Sequence, residues 1–206
     1  MASNHAFHLR SPSGRPLRRR SREQGFSIIE VLISLLILSV GVLGTVGMLI
    51  SAMQSNKEAH NQAIAASFAR ELAERMRGNH ATAIKTSSSD NPFLFDVTLA
   101  TSTTITSPPT NCYTGACTNV KDAASWDVAE WQARIKAALP TPRAKVCFDQ
   151  TPFDTSGRPQ WNCSNTGDIA VLKMSWTRSN TAGQLEFAGS TGIPLVVVPL
   201  TAGSSE

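Results

Sequence analysis

The sequence predicts an α+β fold: a long N-terminal α-helix packed on a small antiparallel β-sheet head. Three observations lead there. Residues 31–56 run for 26 positions without a charge, and most are Val, Leu, Ile, Met or Gly. The apolar pattern then takes a helical period, with Ile64, Phe68, Leu72 and Met76 four residues apart. Beyond residue 80, short apolar runs alternate with clusters of Ser, Thr, Asn, Gly and Pro, the punctuation of strands and turns.

The chain has 206 residues, which suits one domain plus an appendage. Its net charge of +4 is unevenly placed. Residues 1–25 hold Arg10, Arg15, Arg18, Arg19, Arg20 and Arg22 against the single acid Glu23. The other 181 residues carry thirteen bases and fourteen acids, so the basic character belongs to the front end. A folded region of net charge −1 argues against a nucleic-acid partner.

About 20 apolar residues suffice to cross a hydrocarbon layer as a helix. A secretory signal peptide is the competing reading, but its apolar region is about 7–15 residues and ends in a small-x-small site. Here the run is longer, and Ser51-Ala52-Met53-Gln54 makes a poor site. The arginines lie just before the run, so the positive-inside rule keeps residues 1–25 in the cytoplasm and sends the C-terminal part across. Glu30, at the start of the run, is an ionisable group close to hydrocarbon, a costly place that calls for a reason.

The helix is expected to continue beyond the membrane segment. No proline occurs between residues 26 and 91, Glu71 can pair with Arg75 and Arg70 with Glu74, and Gly78-Asn79 is a plausible stop. A helix from residue 26 to 78 would be roughly 80 Å long. Gly41, Gly44 and Gly47 near its middle suit close helix packing or local melting. In the head, residues 93–99, 144–148, 169–178, 184–188 and 193–200 read as strands, and 125–139 as a second helix with Val128, Trp131, Ile135 and Leu139 on one face. Residues 86–91 and 101–111 read as loops, the latter a candidate contact surface through exposure.

Cys112, Cys117, Cys147 and Cys163 all lie beyond the membrane segment, and an even number in an exported domain reads as two disulfides. Of three possible connectivities the sequence-local one, Cys112 with Cys117 and Cys147 with Cys163, is preferred. Zinc is the rival, but the spacing lacks paired CxxC motifs, so no metal is expected. Asp149 and Asp154 flank a turn yet lack the oxygen-ligand density of a calcium loop. No cofactor or catalytic residue is expected either. There is no Gly-rich phosphate loop, HExxH or GxSxG, His60 and His80 read as solvated, and Glu130 reads as the solvated neighbour of a core Trp131.

The segment Gly25-Phe26-Ser27-Ile28-Ile29-Glu30, preceded by basic residues and followed by the apolar run, resembles the processing site of type IV prepilins. The resemblance implies a type IV pilin-like fold, cleavage between Gly25 and Phe26 by a membrane aspartic prepilin peptidase, and N-methylation of the new Phe26 amine. It also implies that Glu30 neutralises the N-terminal amine of a neighbouring subunit and sets axial register. A misplaced subunit would leave two charges unpaired in an apolar bundle. The organisation implied is a leader over 1–25, removed on processing, a transmembrane and filament-core helix over 26–53, its amphipathic continuation over 54–79, and an exported head over 80–206.

Residues 65–79, followed later by residues 127–140 and Val146-Cys147, further resemble minor pilins of the PilV type, also called type IV pilus modification proteins. That resemblance implies a subunit that helps initiate pilus assembly and sits at or near the tip. Its implied partners are the prepilin peptidase, other minor pilins, the major pilin, the inner-membrane assembly platform and a large tip adhesin, with membrane lipid around the helix before assembly. The precursor would cross the inner membrane once with its head in the periplasm, and the assembled subunit would be extracellular. Because the N-terminal motif also suits a minor pseudopilin of a type II secretion system, that reading stands as the alternative. A membrane-anchored receptor that keeps its leader is a third.

Overall fold

The computed structural model describes residues 25–106, 108, 111–115, 117–179, 184–186 and 192–201. The leader arginines, and parts of the expected 101–111 loop and 184–188 strand, lie outside the described residues. The chain divides into two compact units, Met1–Val46 and Gly47–Glu206.

Helix α1 spans Ile28–Gly78. Its buried residues are Asn61, Ala65, Phe68, Ala69, Leu72, Ala73 and Met76, a stripe at three- and four-residue spacing as an amphipathic helix requires. The helix ends where Asn79 N–H donates to the carbonyls of Arg75 and Met76, and the one-turn helix α2, His80–Ala83, follows. The chain then turns about Asn91, whose side chain is buried. Its amide donates to the carbonyls of Ala83 and Lys85, and its Oδ1 accepts from Phe93 N–H.

Strand β1 is Phe95–Thr98, helix α3 Val120–Ala138, β2 Arg143–Phe148 and β3 Ala170–Ser175. The short strands β4, Arg178–Ser179, and β5, Leu185–Glu186, pair with each other, and β6 is Val196–Leu200. Among the described residues the main sheet has the order β1-β2-β3-β6 and every pairing in it is antiparallel. The alternation of strand side chains sends Ala144, Val146, Phe148, Ala170, Leu172, Met174 and Leu200 into one core with α1 and α3. β6 is an edge strand, with Pro199 opposite Val171.

Several boundaries differ from the expectation: β1 is shorter than 93–99 and β6 starts three residues after 193, and two further shifts stand out. α3 begins five residues before the expected 125, because Asn119 caps it: its Oδ1 accepts from Asp122 N–H at 2.8 Å. The expected strand over 169–178 stops at Ser175, and Arg178 belongs to the separate β4–β5 pair.

The face of the sheet away from the core carries Arg143, Lys145 and Cys147 on β2, and Val171, Lys173 and Ser175 on β3. Lys145 and Lys173 stand directly opposite each other, an unfavourable pair unless each finds an acid. Lys145 takes Asp96 on β1 at 3.3 Å, which Arg143 shares at 3.2 Å. Lys173 takes Asp149 at 2.5 Å. Residues 149–169, joining β2 to β3, form a strap over this face. Trp161 stacks on Arg143, with the guanidinium 4.1 Å from the ring centre, and its Nε1 donates to Gly192 O. Gly167 allows the strap to return. Its φ is +93°, and a β-carbon there would lie 2.4 Å from Gln150 Cγ, so only glycine fits without rearrangement.

Candidate functional site

Gly25, Phe26 and Ser27 lead into α1, and Ser27 carbonyl accepts from the amides of Glu30 and Val31 at 3.0 and 3.3 Å. Glu30 therefore sits in the first turn, where a carboxylate faces the positive end of the helix dipole. Every residue from 25 to 57 is exposed, and Phe26 keeps 83% of its surface. An apolar stripe of this size is far beyond what a water-soluble surface carries. α1 contains a stretch long and apolar enough to cross a membrane. Its hydroxyls fit that environment. Ser34, Ser39 and Thr45 each donate to a carbonyl three or four residues back, at 2.7–2.8 Å, so their polar hydrogens are satisfied within the helix.

A β-carbon built on Gly25, Gly41, Gly44 or Gly47 meets nothing within 4 Å. The fold of this chain does not itself require glycine at any of the four. A need for it would come from another molecule that approaches the backbone closely.

The Asp-x-x-Glu-Trp segment of α3 faces α1. Trp131 is fully buried, and its Nε1 donates to Phe68 O at 2.9 Å. Arg75 on α1 reaches Asp127 at 2.8 Å, Glu130 at 3.0 Å and Glu71 at 2.9 Å, and Arg134 also pairs with Glu71 at 2.6 Å. Burial works against the Arg75 charge, but hydrogen bonds to Glu130 and Glu71 outweigh it and raise its pKa. Asp127 moves the other way to most paired acids: burial pushes its pKa up, assisted by Glu130 and Glu71, despite Arg75. Glu130 is not the solvated neighbour expected of it, because Tyr113 also donates to it, at 3.3 Å. The expected Arg70–Glu74 pairing is replaced by one between Arg77 and Glu74.

Cys112 is bonded to Cys117 and Cys147 to Cys163, with Cα separations of 5.2 and 6.4 Å. The first bond closes the loop that carries Tyr113, whose ring meets Trp126 edge to face at 5.6 Å. By chain entropy the larger loop gives about 3 kcal/mol and the smaller about 2. Cys147, Cys163 and Asp149 lie within 4.8 Å of one another, a group that could hold a metal by proximity alone. The two sulfurs are joined to each other, however, and Asp149 holds Lys173. Asp154 turns its carboxylate on its own loop, accepting from the amides of Ser156 and Arg158 and from Arg158 Nε. His60 is exposed and His80 half-buried.

Residues 47–129 match the family model described as Type IV pilin Tt1218, and residues 20–52 match the prokaryotic N-terminal methylation motif. By these two matches residues 20–129 are similar to type IV pilins. No curated protein and no solved structure matches the chain. The long helix on a four-stranded antiparallel sheet is the pilin fold, and pilins are structural subunits rather than enzymes. In a type IV pilin, an apolar N-terminal helix of this kind points to a membrane-anchored precursor and to a pilus. The motif implies a prepilin peptidase and pilus-assembly partners.

Proposed function

We propose that this chain is a type IV pilin, a minor subunit of the PilV type, which helps initiate pilus assembly and stays at or near the tip. The observation that carries the reading is the use made of the Asp-x-x-Glu-Trp segment. Asp127, Glu130 and Trp131 all engage α1, so the segment fixes the head on its own helix. In this reading Gly25 and Phe26 flank the cleaved bond, the Phe26 amine is methylated, and Glu30 pairs with the amine of a neighbouring subunit. The two disulfides hold the exported head. Assembly exchanges lipid contacts of residues 26–53 for helix contacts, a change with little net apolar gain. Register then rests on the Glu30 charge. Partners follow from the role: other minor pilins, the major pilin, the assembly platform and a tip adhesin.

The test is surface-pilin abundance in a strain lacking this protein, beside its complemented parent. Loss of surface pili, restored on complementation, is the expected result. Unchanged pili would reject the priming role and leave the pseudopilin of a type II secretion system as the better reading.

A further inference from the structure

Lys173 and Asp149 form an ion pair whose side chains have no exposed surface. The place is unusual. Lys173 stands on the sheet face opposite the core, where a strand residue ordinarily meets water. The strap removes that water. Lys173 Nζ donates to Asp149 Oδ2 at 2.5 Å and to Asn162 O at 2.6 Å. Asp149 Oδ1 accepts from the amides of Thr151 and Ser164 at 3.0 and 3.1 Å. Among the described residues, every partner of the ammonium and every other donor to the carboxylate thus comes from the strap.

The disulfide lies within this seal. Cys163 falls between Asn162 and Ser164, which close the pair from one side, and its partner Cys147 precedes Asp149 by two residues. Keeping two ions from water costs several kcal/mol each and is offset only while the whole set of partners is in place. Once the seal parts, hydration favours both ions and works against reclosure. The core is on the other face of the sheet, where Val146, Leu172 and Met174 pack without the strap.

We propose that the Cys147–Cys163 disulfide and the Asp149–Lys173 pair form an interlock: the strap closes over the outer sheet face only in the oxidised head, and reduction releases it locally while the core stays folded. A phosphine reductant supplies the two electrons. It becomes a phosphine oxide with oxygen from water, and the two sulfurs leave as thiols. A head that has not been oxidised therefore offers neighbouring molecules an open strap and two hydrated charges.

The full-length protein in detergent micelles tests this with an amine-acetylating reagent and mass mapping of the modified lysines. Three preparations are compared: oxidised protein, phosphine-reduced and alkylated protein, and the Cys147→Ser/Cys163→Ser variant. Lys173 acetylation should rise at least about tenfold in the last two, while exposed Lys57 is unchanged and the β2 and β3 amides keep their hydrogen-exchange protection. The Cys112→Ser/Cys117→Ser variant should keep Lys173 protected. Continued protection of Lys173 in the Cys147→Ser/Cys163→Ser variant would overturn the interlock. Loss of protection at the β2 and β3 amides together with Lys173 would overturn it as well, because the bond would then be a staple of the whole head.

Discussion

The indole Nε1 of Trp131 donates to the carbonyl of Phe68 at 2.9 Å, and the two rings meet edge to face with centroids 6.0 Å apart. One side chain therefore joins α3 to α1 by a polar bond and by apolar contact together. Trp131→Ala removes both and should cost about 3–5 kcal/mol. Trp131→Phe keeps a ring but loses the donor, and the lost hydrogen bond should cost about 1 kcal/mol. Denaturant titration of the two variants beside the parent would check this order. Equal losses would mean that the ring contact adds nothing beyond the hydrogen bond.

Gly25 has open space around the position of a β-carbon. Gly25→Ala should therefore leave the fold and membrane insertion of the precursor unchanged while blocking or severely slowing cleavage, since the peptidase must approach the backbone closely. A gel or mass assay of precursor and mature forms reads the result. An unchanged mature fraction would refute the role given to this glycine.

Glu30 is exposed in the first turn of α1. Glu30→Val should insert normally, since it lowers the cost of placing the helix in hydrocarbon. It should impair incorporation into pili, which quantitation of this subunit in sheared fibres would measure. Normal incorporation would show that register does not depend on this charge.

Asp149 gives a pH signature. Burial alone would raise its pKa, but the Lys173 hydrogen bond and the amides of Ser164 and Thr151 hold it below the ordinary carboxylate value. A depressed folded value means that its contribution is complete above the unfolded pKa of about 3.9 and is lost as pH falls through the folded value. At neutral pH, Asp149→Asn leaves a buried ammonium without its counter-ion and should cost about 3–5 kcal/mol. The gap between parent and variant should narrow below about pH 4. Asp149→Leu combined with Lys173→Met should recover most of the loss. Thermal melts across that pH range would decide it, and a gap that stays constant would contradict the pairing.

What was legible in the sequence was local. The Gly25–Glu30 motif, the uncharged run and the four-residue apolar period of α1 each lie within a short window; resemblance reads the first, composition the second and periodicity the third. The cap at Asn119 was also legible, since Asp122 follows it by three residues, but the reading from apolar positions began at 125. Lys173 was not. Within an apolar run it reads as an outward lysine, and its burial depends on Asp149, 24 residues earlier, and on a strap folded back across the sheet. Glu130 was missed for the same reason. Its neighbour in sequence is Trp131, but its partners are Arg75 and Tyr113.

Pro199 on β6 has no amide hydrogen to give, on either side of the strand. Its position on the edge of the sheet has a consequence for life at high concentration. Wherever two copies of this head meet, their identical sheet margins can come side by side. A margin that lacks a complete row of donors makes a poor template for another chain, so such encounters end in separation rather than in a growing cross-β aggregate.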